Sequence, residues 1–231
     1  MGFHTPNEEI VRSLSSAETM QALRGAALLL DRHGLAAEAS RFGRERMPPL
    51  RDLKQDYNRL FGHTLRGKVC PYETEYGKAH SFQQAHILSD LAGFYLAFGL
   101  RPAISVNERV DHIAYQLEFL EFLSRKEAFA LEQGDEEMLE IARHALKKFL
   151  REHLGRFGRA VGSRLRQEDQ DGFYGKLGSL CSLFLRTECE GQGVLVASEV
   201  LELRSFEEEH VPMACGTGDE RLETGATRFD V

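Results

Sequence analysis

Apolar residues at Val110, Ile113, Leu117, Leu120 and Leu123 recur at intervals of three and four within NERVDHIAYQLEFLEFLSRKE, residues 107–127. That is the repeat of a helix face, and a strand with its period of two does not produce it. Phe119 and Phe122 widen the apolar surface beyond one stripe, so this helix is expected to meet neighbours on two sides. Similar repeats place helices along the rest of the chain. Ser15 and Glu18 form an S-x-x-E box ahead of Met20, Leu23, Ala27 and Leu30, and Gly34 stops that helix. A weaker helix over 35–46 has a mostly alanine face, and Pro48-Pro49 ends it. Leu50, Leu53, Tyr57, Leu60 and Phe61 stripe the next, which closes at Gly62.

Residues 62–80 read as a long polar connection, a length that in a compact domain marks a functional or mobile loop. Ser81 and Gln84 then open a strongly apolar helix that runs through Leu88, Leu91, Phe94, Tyr95 and Phe98 to Gly99 and Pro102. Gly93 inside it costs roughly 1 kcal/mol relative to alanine, which suggests a close helix approach there. Asp135 caps a helix carrying Met138, Ile141, Ala145 and Phe149 to about Leu154. Phe157, Val161 and Leu165 mark a short one in a basic segment, and Asp171 caps another with Phe173, Leu177, Leu180 and Phe184. The stretch 194–203 fits a short strand or a helical turn equally well. About eight helices and no period-two series give an all-α class: a single helical-bundle domain over 1–206, with an acidic tail over 207–231.

Charge sharpens that boundary. Residues 207–231 hold seven acids against two bases, most of the net −7 of the chain, while the remainder is near neutral. No basic stripe suggests a nucleic-acid partner. No apolar run reaches the ~20 residues of a membrane span, and the first residues lack the basic-then-apolar form of a signal peptide. Four cysteines with no CxxC pair read as reduced thiols in a cytoplasm.

Candidate chemistry is sparse. His63, Cys70, His80, His86 and Asp90 have irregular gaps, unlike the compact ligand pairs of zinc sites. There is no GxSxG, and GRFGRAVG (155–162) lacks the lysine and strand of a phosphate loop. Glu118 and Glu121 lie at helical spacing, which suits a capping or solvated role better than acid–base work. Arg109, Asp111 and His112 form a polar cluster at the start of the central helix. Asp111 reads either as helix-start electrostatics or as a site residue, and His112 either as a half-buried histidine bonded to a carbonyl or as a site residue. Tyr72 and Tyr76 read as loop packing or as part of the same site.

CPYETEY (70–76), DLAGFYLAFGL (90–100) and ERVDHIAYQLEFLEFL (108–123), in that order, resemble the molybdoenzyme-maturation chaperones of the TorD/DmsD/NarJ family. KKFLREHLGRF (147–157) resembles that family's FLxxHLGxW run. Val110 stands where the family has proline, Gln116 where it has the first glutamate of ELEFM, Leu120 for its methionine and Phe157 for its tryptophan. Without that proline the central helix is expected to begin earlier, with Asn107 as N-cap.

The resemblance implies an all-helical, cytoplasmic, cofactor-free chaperone and not an enzyme. It would bind the apo catalytic subunit of a molybdopterin oxidoreductase, often at its twin-arginine leader, and assist cofactor insertion before export. Asp111, His112, Arg109, Tyr115, Tyr72 and Glu73 are then the expected peptide-binding residues, with Asp111 engaging a guanidinium. Two alternatives stand beside it: a helical nucleotide- or cofactor-binding protein using the same pocket, and a general helical interaction module. A monomer and a helix-swapped dimer both fit.

Overall fold

The computed structural model describes residues 3–62, 67–77, 81–101, 108–195 and 201–204. Among these the chain is helical: α1 (Glu8–Ser15), α2 (Ala17–Leu29), α3 (Leu35–Phe42), α4 (Leu50–Phe61), α5 (Ser81–Ala97), α6 (Ile113–Gln133), α7 (Glu136–Phe149), α8 (Gly155–Glu168) and α9 (Phe173–Gly191). A π-helical turn, Leu150–Leu154, joins α7 to α8, so the nine segments make eight separate rods. The all-α single-domain expectation holds. The only extended pairings among the described residues are two isolated antiparallel bridges, Tyr72 with His112 and Tyr76 with Leu203. The expected boundary at 207 and the acidic tail lie outside the described residues.

Caps fix several helix starts, and some differ from the sequence reading. Asn7 caps α1, a helix the apolar pattern did not reveal, by accepting from the Ile10 amide at 2.8 Å. Ser16 caps α2 through the Thr19 amide, whereas Ser15 closes α1, so the expected S-x-x-E box is displaced by one residue. Asp135 caps α7 through Met138 as expected, after Gly134 has closed α6 in the left-handed region at φ 67°. At α9 the carboxylate of Asp169, not Asp171, accepts from the amides of Tyr174 and Gly175. α6 begins at Ile113, later than expected, because the His112 ring caps it. Asn107, the expected cap, lies outside the described residues.

The main core gathers the inner faces of α4 to α9, with Leu60, Leu91, Ile113, Phe149, Leu165 and Leu185 fully buried. Phe3 joins it and ties the N-terminal segment down. α8 and α9 pack most extensively; Gly162 and Gly178 let their backbones approach, since a Cβ on either would sit 2.5 Å from the other's carbonyl oxygen. A smaller core of Ala27, Leu35, Ala39, Phe42 and Leu180 joins α2 and α3 to α9. Gly93 does not serve a close helix contact. A Cβ there would meet nothing within 4 Å, and the residue lines an open groove of about 1020 Å³ between α5 and α7.

Candidate functional site

The loop 70–77 and the residues preceding α6 lie side by side as extended backbone. The Ile113 amide donates to the Pro71 carbonyl at 2.8 Å, and the Glu73 amide donates to the Asp111 carbonyl at 3.1 Å. A single 3₁₀ turn, Glu73–Glu75, then redirects the loop. This pairing brings all six sequence-predicted residues into one region.

Asp111 is wholly enclosed, with 0% of its surface exposed. A buried carboxylate needs every lone pair matched, and the neighbours supply this. It accepts from the Thr74 amide at 3.1 Å, the Thr74 hydroxyl at 2.8 Å, and Arg109 Nε and Nη2 at 3.0 and 2.9 Å. Arg109 lies over the Tyr72 ring at 4.6 Å, pairs with Glu75 at 3.3 Å, and also donates to the Thr74 hydroxyl. Burial works against its charge, but Asp111 and Glu75 raise its pKa overall. The expected open Asp111 carboxylate is therefore filled from within: the chain's own guanidinium covers it.

His112 is equally buried, at 1% exposure, and its role is local. Its Nδ1 accepts from the Ala114 amide at 3.1 Å. A nitrogen acting as acceptor there must be unprotonated. Burial pulls the imidazole down to about 4, against the pull of the Glu108, Asp111 and Glu118 carboxylates, and His4 adds to the lowering. His4 stacks on the ring from outside and bonds Glu118 at 2.8 Å; Tyr72 and Tyr115 meet the ring edge-on. The Tyr72 hydroxyl donates to Glu108, and its pKa is raised, first by burial and then by that carboxylate.

Glu73 leads into a second buried chain that the site assignment missed. It accepts from Gln116 Nε2 at 2.7 Å and faces His153 Nδ1 at 3.2 Å, while His153 Nε2 meets Asp90 at 3.1 Å. His153 sits within the π turn. Burial alone would lower its pKa, but hydrogen bonds and charge from Glu73 and Asp90 leave it raised. With a carboxylate facing each nitrogen, the ring pins the 70–77 loop to α5. Gln116, where resemblance leads one to expect glutamate, donates to Glu73 instead of repelling it; its own Oε1 has no partner among the described residues. Asp90 and His153 both belong to stretches that carried the resemblance, so a signal for them was present. Thr74 had none beyond its place between Glu73 and Glu75.

The accessible rim differs from the buried floor. Arg109 is 44% exposed and Glu118 53%, and Tyr72, Tyr115, Glu75 and Glu108 are partly exposed. Three rim carboxylates thus each hold a different neighbour: Glu75 pairs with Arg109, Glu108 accepts from the Tyr72 hydroxyl, and Glu118 bonds His4. Among the described residues no group of three His, Cys, Asp or Glu side chains is placed to hold a metal ion; His63 and His80 lie outside them. GRFGRAVG is not a loop but the first half of α8, its glycines packed against neighbours.

A family model described as nitrate reductase delta subunit matches residues 16–161, more than half the chain and all the site residues named above except His4. The chain belongs to that family. The delta-subunit family comprises molybdoenzyme-maturation chaperones of the TorD/NarJ type, a chaperone family and not a catalytic one. No curated protein gives a significant match. In this delta-family chain the match ends inside α8, so α9 and residues 201–204 lie beyond it. No helix among its described residues is long and apolar enough to cross a membrane.

Proposed function

We propose that this delta-family protein acts in the cytoplasm on the apo catalytic subunit of a molybdopterin oxidoreductase. It binds the subunit's N-terminal segment or twin-arginine leader and holds it until the cofactor is inserted. The observation that carries the reading is the excess of carboxylates on the site's rim. Glu75, Glu108 and Glu118, bonded to Arg109, Tyr72 and His4 in turn, share the rim with the part-exposed rings of Tyr72 and Tyr115. A leader presents arginines followed by an apolar stretch, and such a peptide needs carboxylates for its guanidinium groups and rings for its side-chain stems. Asp111 and His112 act beneath this rim as positioning residues: Asp111 fixes Arg109 and Thr74, and His112 fixes the start of α6. Glu73 holds the loop through His153.

The test is calorimetric titration of the full chain with a synthetic twin-arginine leader peptide. The double variant Glu108→Lys/Glu118→Lys is expected to bind at least about tenfold more weakly, since one lost charge-assisted contact is worth about 1.4 kcal/mol or more. Glu132→Lys, on the far end of α6, is expected to leave affinity unchanged. Equal affinity in the rim variant would remove the leader from this site, and absence of binding to the unaltered chain would remove the leader reading altogether.

A further inference from the structure

The loop 71–77 has two backbone edges. The inner edge is closed by residues 111–113, all buried and continuous with α6. The outer edge is taken by residues 201–204, Leu-Glu-Leu-Arg. Tyr76 and Leu203 form the antiparallel bridge; the Gly77 amide donates to the Glu202 carbonyl at 2.8 Å, and the Arg204 amide donates to the Glu75 carbonyl at 3.0 Å. The Arg204 guanidinium donates to the Thr74 carbonyl. Leu201 and Leu203, two residues apart, both pack against the main core, while Glu202 is exposed, as the alternation of a strand requires.

We propose that the outer edge of residues 75–77 is a strand acceptor for an extended client segment, and that residues 201–204 occupy it as an internal stand-in. Three observations argue for a replaceable occupant. First, among the described residues this strand is held by two backbone hydrogen bonds, and its side chains are partly exposed or exposed, unlike the buried inner partner. Second, Leu201 does not fill its surroundings: a cleft of about 510 Å³ opens beside it, lined by Tyr76, Ile87 and His153 among others. Third, the occupant's pattern is apolar–polar–apolar–arginine, and its arginine lands on Thr74, the residue whose amide and hydroxyl hold Asp111. The edge therefore selects an extended peptide with alternating apolar side chains and a basic residue directed at the Thr74–Glu75 end. Main-chain bonds supply affinity in such strand addition, and the alternate side chains supply specificity. The stand-in lies beyond the family match and competes with the client from within the same chain.

This rests on the reading that the client segment is basic and apolar, and the test separates the two. Hydrogen exchange of the full chain is measured with and without the synthetic twin-arginine leader. On binding, the Arg204 amide is expected to lose protection, while the Gly77 amide stays protected by its new partner. In Leu201→Ser/Leu203→Ser, leader affinity is expected to rise about tenfold, as for an edge about nine-tenths occupied by the stand-in. A leader that binds while Arg204 protection and the variant's affinity stay unchanged overturns the strand acceptor and leaves the chaperone reading intact. Should the leader not bind at all, a synthetic peptide of residues 198–206 added to the double variant decides. Its binding, with renewed protection of Gly77, supports the acceptor edge, and its failure to bind overturns it.

Discussion

Asp111 and His112 are neighbours buried to the same degree, yet they answer burial in opposite ways. Asp111 is enclosed by donors, the Thr74 hydroxyl and the Arg109 guanidinium. His112 gives up its proton and uses the freed nitrogen as a helix cap. His153 answers differently again, held between Glu73 and Asp90 with its pKa raised. The two histidines therefore respond to pH with opposite sign. With His112 near 4 when folded and near 6.5 when unfolded, only the unfolded chain takes up a proton as pH falls between those values. Stability is then lost on acidification across that window, by up to about 3 kcal/mol, and no further below it. For His153 the folded value is the higher one. Its contribution is complete below the ordinary imidazole value and disappears as pH rises through the raised one. Imidazole NMR at pH 6 should find His112 neutral and His153 protonated, with His112 silent until near pH 4. Both rings titrating together near 6.5 would contradict the two environments. The sequence made the His112 position visible but not its answer, because whether a ring caps or binds depends on where the helix begins. Val110 in place of proline suggested an earlier start than the structure has.

At the level of elements, the π turn between α7 and α8 sets His153 apart from its helical neighbours. An extra residue in the turn shifts the ring's bearing, and such turns recur where a side chain must leave the regular helical register. Gly155 makes it possible: its amide closes the turn on the Leu150 carbonyl, and a Cβ there would lie 2.3 Å from that oxygen and 2.8 Å from Cys189 Sγ. Gly155→Ala should therefore destabilise the fold by about 1–3 kcal/mol, the usual cost of overpacking a tight contact. It should also shift the His153 ring resonance, because the ring can no longer bridge Glu73 and Asp90. Urea unfolding together with that resonance checks both, and an unaffected histidine signal would detach the turn from the site. Helix periodicity revealed α4 to α7 and α9 well, since their apolar faces are long and regular. It missed α1, which has no buried residue within its eight, and it read α7 to α8 as a break because a π turn interrupts the 3.6-residue repeat. The length of the 62–80 connection marked it as a functional or mobile loop, and its described part, 67–77, carries Tyr72 and Glu73. Its pairing with residues 111–113 and 201–204 was not legible, since single bridges are too short to set a repeat and 194–203 fits a helical turn as well as a strand.

Across the whole molecule, stability is divided unevenly between the two cores. The main one draws on six helices and encloses the site's floor; the smaller one holds α2 and α3 onto α9 with a few residues. Within α2 only Ala27 is buried, while Leu28 and Leu29 are 67% and 89% exposed. A helix anchored so lightly gains little from tertiary packing, and isolated helices of thirteen residues are marginal in water. The α2–α3 unit should therefore open well before the rest, as contiguous cooperative units of low stability do. The site does not depend on that unit. His4 and Phe3 reach the main core ahead of α1, and the 70–77 loop is pinned by α5, α6 and the π turn. Native-state hydrogen exchange should give α2 and α3 amides opening free energies at least about 2 kcal/mol below those of α6 and α8, while the amides of Glu73 and Ile113 follow the high group. Equal values throughout would mean that the two cores unfold as one. Low values at Glu73 would mean that the site belongs to the part that opens, and that its buried network does not hold the loop against the body of the protein.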